Sequence, residues 1–222
     1  MLHDHHGTRY AADVAECSSI ELTNRFDSLV TAPKSGDEPF TQQGQSIGSD
    51  LRQFWRWACS DLIGNAQRGV LAEYIVGLAL GCVADGVRVE WDASDLLTEG
   101  GIRVEVKSSA YLQSWKQKRL SMISFGIQPT NGWDATTNTI AAQRKRQADV
   151  YVFCVFKQTD RATADPLDLD QWDFYVMSTQ RLNSTFGEQK SIVLSSLLSH
   201  DPVECSFSGL ASAVQAAARE QS

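Results

Sequence analysis

Long apolar runs are missing from this chain: no stretch of its 222 residues approaches a membrane-spanning length. The opening MLHDHHGTRY has neither the basic region nor the apolar segment of a secretory signal, so a cytoplasmic protein with no membrane partner is expected. Cysteine is scarce too. The five present, at positions 17, 59, 82, 154 and 205, are an odd number with no C-x-x-C pair, which argues against a disulfide framework or a thiolate zinc site and suits reduced thiols. No internal repeat, zinc finger, helix-turn-helix or other separate reader module is visible, so any base-sequence recognition must come from the N-terminal segment or the C-terminal additions.

Positive charge is also in short supply, with 20 Lys and Arg against 27 Asp and Glu and a net charge of −7. Taken alone, that balance argues against a polyanionic partner. Its distribution reverses the argument. Between Gly100 and Gln147 stand eight basic residues and only two acids, Glu105 and Asp134, so this stretch carries +6 and the rest of the chain −13. A local basic face can hold a polyanion at one site while overall repulsion limits indiscriminate binding. A solvated basic helix surface is the plain alternative.

What is present suits a globular protein: a hydrophobic fraction of 42% and a charged fraction of 21%, at a length fitting one domain with additions. Residues 1–48 read as an N-terminal segment, with a weak helix pattern over 10–30, a linker in TAPKSGDEPFTQQGQSIGS, and a terminal His cluster at 3–6 whose usual meaning is disorder. Residues 49–222 read as one domain, with a core over about 66–156 and a C-terminal extension over 157–222. Asp50 can cap a helix carrying Leu51, Phe54, Trp55 and Ala58. A second helix over Ala66 to Leu80 is apolar on most of its circumference, predicting burial, with Glu73 its single acid. After Gly86 the period changes to two. VRVEW, DLL, IRVEVK and SMISFGI read as strands, TIAAQRKRQAD (139–149) as a basic-faced helix, and YVFCVF as a strand covered on both faces. WDFYVM and SIVLSSLL read as strands or strand-helix pieces, and GLASAVQAAARE as a helix. The expected class is α/β, a sheet sandwiched by helices.

The chemistry concentrates in one hairpin. Alternation puts Glu105 and Lys107 on the same strand face. With Glu99-Gly100-Gly101 as a three-residue turn, Thr98 pairs with Ile102 and Asp95 falls opposite Glu105. Opposed side chains have Cβ atoms roughly 4.5–5.5 Å apart, close enough for two carboxylates to share one divalent ion, whereas a slip of one residue turns Asp95 away. Two like charges facing each other are a poor choice unless a hard cation joins them. Lys107 could then neutralise charge developing on a phosphoryl group, or orient and deprotonate an attacking water. A surface hairpin with an incidental lysine is the bland reading of the same residues.

The segment DLLTEGGIRVEVKSSAYLQSW resembles the signature of the PD-(D/E)XK, or restriction-endonuclease-like, nucleases. Asp95 matches the first acid and Glu105-Val106-Lys107 the E-x-K; Ser94 stands where the motif's proline would be, and Asp92 is the competing candidate for the first acid. The resemblance implies an αβββαβ core with a central mixed sheet flanked by helices. It also implies that Asp95, Glu105 and the Val106 carbonyl bind Mg²⁺ or Mn²⁺, that Lys107 assists the water, that Glu73 completes the site, and that Gln113 contributes. Glu73 could instead pair with Arg68 or Arg103.

After the lysine, Ser108, Ser109, Tyr111 and Trp115 could donate to phosphates or stack on bases, and Lys116, Lys118, Arg119, Arg144 and Arg146 could track a backbone. Core packing explains the aromatics equally well. The expected function is a Mg²⁺-dependent nuclease, with DNA favoured over RNA by analogy with the family and a homodimer if both strands are cut. The competing readings are a catalytically silent nucleic-acid binder with a nuclease fold, and a structural α/β protein.

Overall fold

A computed structural model describes residues 31–83, 86–88, 93–134 and 139–220. The elements run β1 (Pro39–Gln42), β2 (Gln45–Asp50), α1 (Leu51–Cys59), α2 (Asn65–Leu80), β3 (Leu96–Leu97), β4 (Arg103–Ala110), β5 (Ser124–Gly126), β6 (Thr130–Asp134), β7 (Thr139–Lys145) and β8 (Val150–Phe156). They continue with β9 (Trp172–Ser178), α3 (Thr179–Phe186), β10 (Ser191–Val193), α4 (Leu194–Leu198), β11 (Val203–Cys205) and α5 (Leu210–Arg219). The helix expected over 10–30, the His cluster at 3–6 and Asp92 lie outside the described residues, as does most of the VRVEW strand.

A five-stranded mixed sheet in the order β11-β9-β8-β4-β3 forms the frame. β4 and β8 run parallel, from Val104 opposite Val150 to Ala110 opposite Phe156, and the other pairs in the sheet are antiparallel. All seven residues of β8 are buried, because both faces of the sheet are covered. On one face Val104, Val106, Val152 and Val176 pack under α2 (Ala72, Ile75, Val76) and α5 (Leu210, Val214). On the other, Tyr151, Phe153 and Met177 pack against Phe125 of β5, Leu182 of α3 and Leu197 of α4. Each such side chain removed from water stabilises the fold by roughly 1.5–3 kcal/mol before entropy is counted.

Three expectations are corrected. The segment read as a linker is in part a hairpin: Gln43 and Gly44, at φ 51° and 77°, form the two-residue turn between β1 and β2. The helix expected over 139–149 is instead strand β7, paired with β6, so among the described residues no helix forms the crossover from β4 to β8. Every residue of β7 is exposed, so its pairing with β6, and not burial, sets its conformation. The ribbon is held by side chains: Asn131 donates to the Ala141 carbonyl (2.8 Å) and Arg144 to the Pro129 carbonyl (2.7 Å). Finally, α2 is buried along one face only, and Val70, Tyr74 and Leu78 form an exposed row. The remaining α/β layout follows the pattern expected, and among the described residues no helix is long and apolar enough to cross a membrane.

Candidate active site

The β3–β4 turn forms at Glu99-Gly100-Gly101. Thr98 N–H donates to the Ile102 carbonyl (3.0 Å), Gly101 N–H to the Thr98 carbonyl (2.9 Å), and Gly101 takes a φ of 80° that a side chain would resist. Leu97 then pairs with Arg103 and Leu96 with Val104, so the next step of the ladder brings Asp95 opposite Glu105. Asp95 Oδ2 accepts from Val106 N–H at 2.7 Å. The N–H and C=O of one strand residue leave by the same edge, so the Val106 carbonyl also faces the Asp95 side.

A second staple fixes β4 from its other edge. Arg103 bonds Asp149 through its guanidinium (2.6 and 3.2 Å) and its backbone N–H (2.9 Å), while Asp149 N–H donates to the Arg103 carbonyl (2.8 Å). The Arg103 guanidinium holds the Asp149 carboxyl below its ordinary range. This contact sets the parallel register that brings Tyr151 beside Glu105.

Asp95, Glu105 and Lys107 line one cavity of about 310 Å³, together with Gln128, Gln147 and Tyr151. Glu105 and Lys107 form an ion pair along the strand. Asp95 has no such relief: burial first, then the Glu105 charge, push its carboxyl from the usual 3.8 up to about 6, against the Val106 hydrogen bond and the Lys107 charge. Burial, with the Glu105 charge second, also drives the Tyr151 phenol upward, so it is a neutral donor. Two carboxylates, a carbonyl edge and an ammonium thus meet at a half-buried pocket, a donor set that fits a hard divalent cation which keeps several waters.

Glu73 does not line that cavity, but it shares an adjoining one of about 320 Å³ with Asp95, Ser94 and Arg88. It sits on α2, against the opposite sheet face, in a bidentate pair with Arg88 (2.5 and 3.0 Å). Its partner is thus neither Arg68 nor Arg103. It remains close enough for its charge to bear on Asp95, but among the described residues no three His, Cys, Asp or Glu side chains gather to hold a metal.

The other expected residues divide in a similar way. Ser108 faces α2, where its hydroxyl accepts from the buried Arg68 (3.2 Å), while Ser109 shares the face of Glu105 and Lys107. Gln113 is buried in the loop after β4 and donates to the Ala110 carbonyl (3.1 Å), away from the cavity. Tyr111 packs on the core beneath, while Trp115, Lys116, Lys118 and Arg119 are exposed on that loop. Arg144 holds the β6–β7 ribbon. Arg146 is buried and donates from all three guanidinium nitrogens, to the Ile127 carbonyl (2.8 Å), Asn183 Oδ1 (2.6 Å) and the Gly187 carbonyl (2.9 Å). Arg146 is thus tied into the interior, whereas Arg144 is anchored on the Pro129 carbonyl but exposed. Sequence reasoning missed Tyr151, Gln128 and Gln147, which reach the cavity through strand pairing distant in the chain; Gln147 is fixed by donating to the Thr130 carbonyl (2.9 Å).

No curated protein matches the chain. The family model described as bacteriophage T4 endonuclease IV does match, over residues 55–196, a span that contains the whole Asp95–Glu105–Lys107 cluster and all of the cavity's lining. That span is more than half of the chain, which therefore belongs to the bacteriophage T4 endonuclease IV family, a family of nucleases.

Proposed function

We propose that this chain is a divalent-cation-dependent nuclease of the PD-(D/E)XK type, hydrolysing phosphodiester bonds in DNA, with Asp95, Glu105 and Lys107 at its centre. The observation that carries the reading is the cross-strand opposition of Asp95 and Glu105 with Lys107 beside them in one cavity. Asp95, Glu105 and the Val106 carbonyl would hold Mg²⁺ or Mn²⁺, which when bound supplies Lewis-acid polarisation of a phosphoryl oxygen and a more acidic water. The chain's own groups do the rest. Lys107 places a positive charge where the phosphoryl group gains negative charge. Tyr151 and the amide of Gln128 can donate to phosphate oxygens and fix the substrate in the cavity, while Gln147, its amide N–H groups spent on the Thr130 and Lys145 carbonyls, shapes the wall. In this reading Glu73, tied to Arg88, acts on Asp95 through its charge and not as a ligand.

Supercoiled plasmid and linear single- and double-stranded DNA and RNA, each incubated with Mg²⁺, Mn²⁺ or EDTA, test it. Cleavage of DNA with either ion and none in EDTA is the expected result. Cleavage indifferent to EDTA would remove the cation from the reading. Absence of cleavage, with Mg²⁺ still raising the melting temperature, would leave a silent nucleic-acid binder, since a ligand stabilises the state it binds.

A further inference from the structure

The loop from Tyr111 to Met122, between β4 and β5, combines three features that ordinary packing does not require. It is scaffolded from within and below. The Gln117 side chain accepts from Gln113 N–H (2.8 Å) and donates to the Tyr111 carbonyl (3.1 Å) and Ser121 Oγ (3.0 Å). Arg161, from the β8–β9 connection, donates to the Gln113 and Trp115 carbonyls (both 3.0 Å) and to Gln117 Oε1 (2.7 Å). On this scaffold stand Lys116, Lys118 and Arg119, all exposed, with no salt bridge among the described residues and no acid between Glu105 and Asp134 in the sequence. Beside them Trp115 and Met122 are 58% and 75% exposed, and Leu120 is exposed as well. Apolar side chains grouped with unpaired cations on a fixed backbone mark a surface built for an anionic partner with apolar faces.

The loop also occupies a useful place. It continues directly from β4, the strand that carries Glu105 and Lys107, and its base at Tyr111 is roughly 13 Å along the strand from Lys107. From its far end β5 returns to the cavity, where Gly126 is part of the lining. A strand held at the cavity would therefore pass the loop a few nucleotides away.

We infer that this loop is the substrate grip of the nuclease: Lys116, Lys118 and Arg119 contact backbone phosphates to one side of the cut, and Trp115 stacks on a base there. The inference rests on the nuclease reading. Arg161 and Gln117 are positioning residues that keep the grip in shape. An anionic membrane would also attract cations and a tryptophan; nucleic acid is favoured because the loop caps the strand that carries the site.

Fluorescence anisotropy with fluorescein-labelled DNA, single-stranded and duplex, measured in EDTA across a salt series, tests the inference. The Lys116→Ala/Lys118→Ala/Arg119→Ala protein should bind roughly tenfold or more weakly at low salt, with a log–log salt slope shallower by about three. Trp115→Ala should weaken binding roughly five- to a hundredfold and leave that slope unchanged. Both should melt like wild type, since the altered side chains are exposed. Asp95→Ala, by contrast, should lose cleavage and keep binding. Wild-type affinity and slope in both loop variants, beside a wild type that cuts DNA, would overturn the grip and leave the nuclease standing. Loss of binding to anionic phospholipid vesicles with DNA binding intact would overturn it in favour of a membrane. A wild type that neither binds nor cuts any nucleic acid would overturn both readings.

Discussion

Asp95→Asn should make the metal-free protein more stable at neutral pH and abolish its cleavage of nucleic acid. The two effects share one cause. In the folded chain burial and the facing Glu105 raise the Asp95 carboxyl to about 6, from 3.8 when unperturbed. The native state therefore binds this proton more tightly than the unfolded state. Stability consequently falls as pH rises from about 4 through 6, and the ionised carboxylate costs on the order of 1–3 kcal/mol at pH 7, allowing for its partial exposure. Asparagine keeps an oxygen for the Val106 N–H and removes the charge. Denaturant titrations should show the variant ahead by that amount at pH 7, with the gap closing below pH 6 and gone near pH 4. A gap that widens toward acid would contradict the cause given. Cleavage should drop by at least roughly 10²-fold, because the group whose ionised form destabilises the metal-free fold is one the proposed reaction uses. The same proton competes with a cation, so apparent Mg²⁺ affinity should weaken below about pH 6.

Arg146→Ala should cost roughly 2–4 kcal/mol of stability. The guanidinium joins three separate parts of the chain: the end of β5 through Ile127, α3 through Asn183, and the turn after it through Gly187. Removing it leaves those acceptors unpaired and opens a cavity at a buried position. Arg146→Lys should recover only a fraction, since an ammonium cannot reproduce the planar fork of donors. Urea unfolding measures the loss directly. A phosphate-contact role would produce the opposite pattern, unchanged stability with weaker, less salt-dependent DNA binding.

The site was legible in the sequence where local rules suffice. A Gly-Gly turn and two-residue alternation fix which residues of the β3–β4 hairpin face each other, so the opposition of Asp95 and Glu105 could be read directly, and Lys107 followed from the same alternation. The apolar run of β8 likewise had one sensible meaning. Legibility failed where the deciding contacts are distant or the local pattern is mute. Strand β7 contains good helix formers and no buried residue, so neither periodicity nor burial separates strand from helix there; pairing with β6 decides it. The β1–β2 turn at Gln43-Gly44 is concealed among polar residues. Arg146 looked like part of a basic cluster because its three acceptors lie 19 to 41 residues away. Tyr151 reaches the cavity through a parallel ladder, whose register no local pattern encodes.

Lys107 is the residue on which the catalytic reading depends most directly, because its ammonium faces both the acid pair and the cavity. The decisive measurement is the rate of plasmid cleavage in Mg²⁺ by wild type and by Lys107→Ala, with melting curves for both proteins. The account predicts cleavage by wild type and a loss of roughly 10²- to 10⁴-fold in the variant, without loss of folding. A folded Lys107→Ala protein that cuts as fast as wild type would contradict it.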